Sequence, residues 1–277
     1  MKFLETHALL KKYSIRPKKS LGQNFLVEPA GLRKVLTAAE LQGDEQVLEI
    51  GAGLGSLTVL LAQTARDVVA IEIDQKLFPA LQEALAPYAN VKTIHGDILN
   101  LDLDGLLHDQ DFVVVANIPY YITSAIIRKL LEANKRPSRM ILTIQKEVAE
   151  RIIARDGKMS LLALSVQVYG KPDLVATIPA GAFFPAPDVD SAVLKLTLYE
   201  KPLIQEQNLD LFFKLAQAGF SQKRKTLRNS LASGLSISSQ QAEKILADAQ
   251  LESNRRAETL NIEEWNRLVL AYLKLDD

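Results

Sequence analysis

Five short, largely apolar runs alternate with amphipathic stretches through the first half of this chain. They cover residues 47–50, 68–71, 91–94, 112–115 and 140–144 and are rich in β-branched side chains. Strands of a parallel sheet are buried on both faces and read as near-continuous hydrophobic runs. The stretches 57–65, 77–85 and 126–131 carry apolar residues at helical spacing, as does 29–41, where Leu32, Val35, Leu36 and Ala39 follow Pro29. Repeated βα units predict an α/β doubly wound sheet. Residues 192–199 behave differently: Leu194, Leu196 and Leu198 alternate with Lys195 and Thr197. That pattern predicts a strand with one exposed face, antiparallel and near an edge. After Lys201-Pro202 no further strand signal occurs. Ser238 with Gln241 and Asn261 with Glu264 have capping-box spacing, and helices are expected over 208–219, 225–233, 239–249 and 262–274. The expected organisation is an N-terminal segment (1–28), an α/β domain (29–202) and a small helical domain (203–277).

The first apolar run ends in Glu49-Ile50-Gly51-Ala52-Gly53-Leu54-Gly55. Glycines at alternate positions allow a sharp turn and a close approach of ligand to backbone. In a doubly wound sheet, that turn lies at the carboxyl end of a strand, where ligands bind. A dinucleotide fingerprint needs a third glycine where Ser56 stands, and its pyrophosphate is repelled by a carboxylate at Glu49. A sulfonium or ammonium group is not. The second run leads into Glu72-Ile73-Asp74, with Glu72 placed 21 residues after Gly51, near the spacing at which an acid takes ribose hydroxyls. Asp97-Ile98 follows the third, where a carboxylate can accept from an adenine amine while Ile98 packs on the ring. The fourth run ends in Asn117-Ile118-Pro119-Tyr120. An exocyclic adenine nitrogen is a poor nucleophile, because its lone pair is spread into the ring. The Asn117 side-chain oxygen and the Ile118 carbonyl can each accept one N–H and so localise that pair, Pro119 stiffens the turn, and Tyr120 offers a stacking ring. Phe183, on the proline-rich loop 183–187, is expected to clamp the other face of the base, in preference to Phe184.

The glycine turn resembles motif I of S-adenosylmethionine-dependent methyltransferases, and Asn117–Tyr120 resembles motif IV of the adenine amino-methyltransferases, (Asn/Asp)-Pro-Pro-(Tyr/Phe). With Lys19–Leu26, similar to the cofactor-covering motif X, and Phe220–Asn229, similar to F-x-x-R-R-K-x-L-R-N, the chain resembles the ribosomal RNA adenine dimethylase family from about residue 15 onward. Ile118 stands where leucine is commoner, and Lys223 replaces an arginine. The resemblance implies a Rossmann-like class I methyltransferase fold with a helical C-terminal domain, and S-adenosylmethionine as cofactor. Asn24, Leu26, Gly51, Gly53, Glu72, Ile73, Asp97, Ile98 and Asn117 are the implied cofactor contacts. The implied substrate is two adjacent adenosines in the 3′-terminal hairpin loop of 16S rRNA, within an immature small ribosomal subunit. A monomer acting in the cytoplasm is implied as well.

Charge and composition set limits. Lys and Arg total 33 and Asp and Glu 33, so net charge is zero and no bulk basic footprint points to nucleic acid. Local clusters keep an anionic partner open, and the resemblance implies that Lys18 and Lys19, and Lys223, Arg224, Lys225 with Arg228, meet phosphates. With no cysteine and three scattered histidines, thiolate chemistry is excluded and a metal site is not expected. No apolar run is long enough to span a membrane. The N-terminal twenty residues lack the apolar core of a secretion signal, and Glu5 and the motif beginning near Leu21 argue against a transit peptide. Three rival functions stay open at this point: a large-subunit adenine dimethylase, a non-catalytic assembly or transcription factor on the same scaffold, and a nicotinamide-dependent oxidoreductase.

Overall fold

A computed structural model describes residues 4–108, 111–155 and 157–274. In chain order its elements begin with α1 (Thr6–Lys12), β1 (Phe25–Leu26), α2 (Pro29–Ala39), β2 (Gln46–Ile50), α3 (Thr58–Ala62), β3 (Asp67–Glu72), α4 (Phe78–Leu85) and β4 (Val91–His95). They continue through β5 (Phe112–Asn117), α5 (Thr123–Leu131), β6 (Arg139–Gln145), α6 (Lys146–Ile152), α7 (Leu161–Gln167), β7 (Gly170–Ile178), β8 (Phe183–Phe184) and β9 (Ser191–Leu198). Four helices close the chain: α8 (Leu209–Phe220), α9 (Leu227–Leu235), α10 (Ser239–Asp248) and α11 (Ile262–Leu273).

Seven strands form one sheet in the order β4-β3-β2-β5-β6-β9-β7. The first five are parallel, and β9 runs antiparallel to β6. All five residues of β2 are buried, as are the first five of β5, which is why those segments are so apolar. The strand order reverses between β2 and β5, and their carboxyl ends diverge into the crevice where such sheets bind ligands. The antiparallel strand expected over 192–199 is β9, next to the edge. The edge itself is β7, unforeseen in the sequence; its Pro172 suits a strand end at a sheet margin. A separate two-stranded ribbon pairs Phe25 with Phe184 and Leu26 with Phe183.

The chain divides into two compact units. One comprises the residues up to Ala149 with Pro172–Leu198, and the other comprises Glu150–Lys171 with the chain from Tyr199 onward. Residues 150–171 therefore group with the helical tail and not with the sheet, and the division falls at 198/199, not 202/203. In the first unit, Leu32, Val35, Leu60, Leu61, Val113, Val115 and Ile141 belong to one buried core. In the second, Phe212, Leu215, Leu231, Ile245, Trp265 and Leu268 are fully buried. Both expected capping boxes are present, Ser238 with Gln241 and Asn261 with Glu264. Among the described residues no helix is long and apolar enough to cross a membrane.

Candidate functional site

The turn after β2 is built on backbone geometry that only glycine adopts freely. Gly51, Gly53 and Gly55 have φ of +79°, +60° and +90°, in the left-handed region. A Cβ at position 51 would stand 3.3 Å from the Asn117 carbonyl oxygen, and one at 53 would stand 3.1 Å from the Phe25 ring. The turn thus lies against the end of β5 with no room for side chains. It lines a cleft open to solvent, together with Glu72 and Ile73 at the end of β3, Asn117 to Tyr120 at the end of β5, and Leu21 to Phe25.

Two carboxylates stand behind the turn. Glu72 is 5% exposed; its Oε2 accepts the Gly53 N–H at 2.7 Å and its Oε1 accepts the Asp74 N–H at 2.8 Å. Burial pushes this carboxyl up, against the pull of those N–H groups. Each oxygen retains a lone pair for a hydroxyl donor. Glu49 is 1% exposed, and its Oε2 has no hydrogen-bond partner. Burial, reinforced by the neighbouring Glu72 charge, pushes it up to about 8. Of the two, only Glu72 lines the cleft. A ligand carrying ribose hydroxyls fills its open lone pairs, and a cationic group nearby is favoured by its carboxylate, so the chemistry of these acceptors fits S-adenosylmethionine.

The end of β5 supplies acceptors. Asn117 Nδ2 donates to the Asn24 carbonyl oxygen at 3.0 Å. A carbonyl can only accept, so this bond fixes the orientation of the amide and leaves Oδ1 as the free acceptor. The Ile118 N–H donates to the Thr143 carbonyl across to β6 at 3.2 Å. Pro119 then turns the chain with φ −55° and ψ +131°. The Tyr120 hydroxyl lies 2.7 Å from the buried Ser191 Oγ, which holds the ring at the cleft wall, and burial pushes the phenol up.

Not every residue expected at the site reaches the cleft. Asn24, Gly51, Gly53, Glu72, Ile73, Asn117, Ile118, Pro119 and Tyr120 do. Leu26 is buried in the hydrophobic core instead. Asp97 and Ile98 stand outside the lining. The Asp97 carboxylate accepts the Leu99 N–H at 2.9 Å and the Asn100 side chain at 3.1 Å, and Ile98 is buried. Phe183, expected to clamp the base, is 4% exposed and packs in the core on the Leu26 face of the ribbon. Alternation along the strand turns Phe184 the other way; it is 38% exposed, with its ring centroid 4.9 Å from that of His7. Lys18 is not free for phosphate, because its Nζ pairs with Asp74 at 2.8 Å, whereas Lys19 is exposed. In the second unit, Lys223, Arg224 and Lys225 are exposed on the turn between α8 and α9, and Arg228 pairs with Glu243 at 3.1 Å.

Sequence reasoning missed α1. Its Thr6 Oγ1 lies 2.8 Å from Ser56 Oγ beside the glycine turn, and Leu10 joins Phe25, Leu54 and Leu77 in a small apolar cluster. The spacing of Thr6, Leu9, Leu10 and Tyr13 carried that signal. It missed Gln23 as well, which lines the cleft.

Residues 15–271 match the ribosomal RNA adenine dimethylase family. The chain is 45% identical over 265 residues to the ribosomal RNA small subunit methyltransferase A of Dehalococcoides mccartyi (strain CBDB1), covering 95% of this chain and 91% of that protein. Its namesake from Lysinibacillus sphaericus (strain C3-41) is 41% identical over 275 residues, covering 96% and 94%. Among solved structures, a dimethyladenosine transferase from Plasmodium falciparum superposes with a TM-score of 0.79 at 28% identity, over 90% of this chain and 98% of that one. The 23S rRNA methyltransferase ErmE gives 0.73 at 29% identity, over 92% and 100%.

Proposed function

The chain belongs to the ribosomal RNA adenine dimethylase family, and from that premise we propose that it dimethylates two adjacent adenosines at N6 in the 3′-terminal hairpin loop of 16S rRNA. It is an S-adenosylmethionine-dependent rRNA adenine dimethyltransferase. Acting as a monomer in the cytoplasm, it modifies an immature small ribosomal subunit.

The observation that carries this reading is the orientation of the Asn117 amide. Its nitrogen is held by the Asn24 carbonyl, so its oxygen is the atom offered to a substrate in the same cleft as the glycine turn and Glu72. An adenine amine entering there donates one N–H to Asn117 Oδ1 and the other to the Ile118 carbonyl. Both bonds draw the nitrogen toward a tetrahedral shape and free its lone pair. The acceptors are fixed before the base arrives, so little reorganisation opposes the reaction. The Tyr120 ring, pinned by Ser191, stacks on the base. When bound, the cofactor supplies a methyl group on a sulfonium, a good leaving group. The surplus proton on the amine passes to water, so no strong base is needed. Glu72 takes ribose hydroxyls and Ile73, 45% exposed at the cleft, packs on the adenine of the cofactor. A hairpin loop suits such a pocket because its bases need little unstacking.

Small-subunit specificity is supported by the relatives: those at 41% and 45% identity carry the small-subunit name, whereas the 23S enzyme stands at 29%. Primer extension on both rRNAs after incubation with protein and S-adenosylmethionine tests it. Stops at the 3′-terminal hairpin of 16S rRNA are expected. Stops on 23S rRNA alone would assign the chain to the other substrate.

A further inference from the structure

The segment from Lys18 to Asn24 contributes one wall of the cleft and is fastened at both ends. Toward β5, the Asn24 carbonyl accepts the Asn117 amide. Toward β3, two bonds reach Asp74 and a third, within the segment, braces them. Lys18 Nζ lies 2.8 Å from Asp74 Oδ1, Gln23 Nε2 donates to Asp74 Oδ2 at 2.9 Å, and Gln23 Oε1 accepts the Lys18 N–H at 2.8 Å. Asp74 itself is outside the cleft lining.

The exposures of the two charged partners are unequal. The Asp74 side chain is 4% exposed and that of Lys18 37%. A buried carboxylate without donors is costly, and apart from the 3.2 Å bond from the Lys76 N–H, the donors to Asp74 come from the 18–24 segment. Lifting the segment therefore strips a buried anion of its partners. The Lys18 end, open to water, is screened, so the fastening is firm without being permanent. Asp74 is also tied to the ligand side, since its N–H donates to Glu72 Oε1 at 2.8 Å. Asp74 thereby joins the wall segment, through its carboxylate, to Glu72, through its main-chain N–H.

We propose that Asp74 is a positioning residue that latches the 18–24 segment across the cofactor cleft, setting how tightly the adenosyl cofactor is held and leaving the methyl-transfer step alone. The proposal rests on the reading that this cleft takes S-adenosylmethionine. Asp74→Asn keeps the shape but offers one acceptor oxygen where two donors need one each. Lys18→Met removes the charge; Lys18→Arg restores it.

The test combines calorimetric binding of S-adenosylhomocysteine with amide hydrogen exchange of the unliganded protein. Asp74→Asn and Lys18→Met each weaken S-adenosylhomocysteine by about tenfold, the loss of one bond to a charged group. Together they weaken it no more than the worse single change, because they break the same contact, and Lys18→Arg binds like the wild type. Exchange quickens at 18–24 while the strands of the sheet keep their protection. With saturating cofactor, Asp74→Asn retains a kcat within about twofold, whereas its KM for cofactor rises in step with the binding loss. Additive losses in the double variant, or unchanged exchange at 18–24, would overturn the latch. If the wild type fails to bind S-adenosylhomocysteine, the cofactor reading falls, and the exchange comparison still decides whether Asp74 holds the segment.

Discussion

The Asn117 amide reaches the main-chain oxygen of Asn24, 93 residues earlier in the chain, at 3.0 Å. This one bond ties the proposed methyl-transfer end of the cleft to the segment that forms another of its walls. It also settles which atom of the amide is left for a substrate. Asn117→Asp separates the two jobs. The aspartate keeps an acceptor oxygen for the base but has no hydrogen for the Asn24 carbonyl, and two oxygens then face each other. The expected outcome is weaker S-adenosylhomocysteine binding, by about tenfold, together with reduced kcat. Binding unchanged from the wild type would mean that the Asn24 contact holds nothing.

Glu49 makes unfolding pH-dependent in a direction opposite to most carboxylates. It ionises near pH 4.5 when unfolded and near about 8 when folded. Between those values the folded protein holds a proton that the unfolded chain has lost. This contribution to stability is complete below about pH 4.5 and is lost as pH rises toward about 8. Glu49→Gln preserves the shape and abolishes the titration. Urea unfolding of the unliganded proteins at about pH 5 and about pH 8 is expected to show a fall in stability that is larger in the wild type than in the variant, by on the order of a few kcal/mol. Parallel pH profiles would show that Glu49 is ionised throughout.

The two adjacent phenylalanines are expected to separate stability from activity. Phe183→Ala hollows the core at a 4% exposed position and costs about 3–5 kcal/mol of unfolding free energy. Phe184→Ala, at an exposed ring, leaves stability within about 0.5 kcal/mol. If Phe184 stacks on the substrate, its loss raises the KM for small-subunit particles by about tenfold, in line with roughly 1–3 kcal/mol for a base stacked on an aromatic ring. Thermal melts and particle kinetics on the same two variants check both halves.

Gly53→Ala tests the turn. The backbone there has φ +60°, and a methyl would meet the Phe25 ring at 3.1 Å. A stability loss of at least about 1 kcal/mol is expected, with weaker S-adenosylhomocysteine binding. A variant that melts and binds like the wild type would show that the close approach is unnecessary.

Much of this architecture is legible in the sequence because one physical constraint repeats: strands buried on both faces must be apolar, and β2, β3, β5 and β6 announce themselves that way. The glycine turn is legible because its φ values exclude other residues, and Glu72 and Asn117 because they follow strands of the same sheet. What the sequence leaves hidden depends on pairings across long separations. Phe183 and Phe184 are neighbours of equal hydrophobicity, and only the pairing of Leu26 with Phe183 sends one inward. Lys18 reads as a surface cation, and only Asp74, 56 residues away, claims it. Asp97 reads as an adenine acceptor, and each of its oxygens already accepts one bond within its own turn. β7 interrupts its pattern with Pro172 and Asp173, tolerable at a sheet edge.

The basic turn between α8 and α9 gives a prediction of another kind. Lys223, Arg224 and Lys225 are exposed on the α8–α9 turn. Reversing the charges of Arg224 and Lys225 should weaken binding to small-subunit particles and flatten the dependence of affinity on salt, because fewer counterions are released. An unchanged slope would mark this cluster as a solvated face.

The central claim, that Asn117 prepares an adenine amine for methylation, is tested most directly by mass spectrometry of adenosines from small-subunit rRNA treated with wild-type protein or with Asn117→Ala. The wild type is expected to yield N6,N6-dimethyladenosine, and the variant to form it at least about a hundredfold more slowly, as for loss of one preorganised polar group. Dimethyladenosine accumulating at the wild-type rate in the Asn117→Ala reaction would contradict the account.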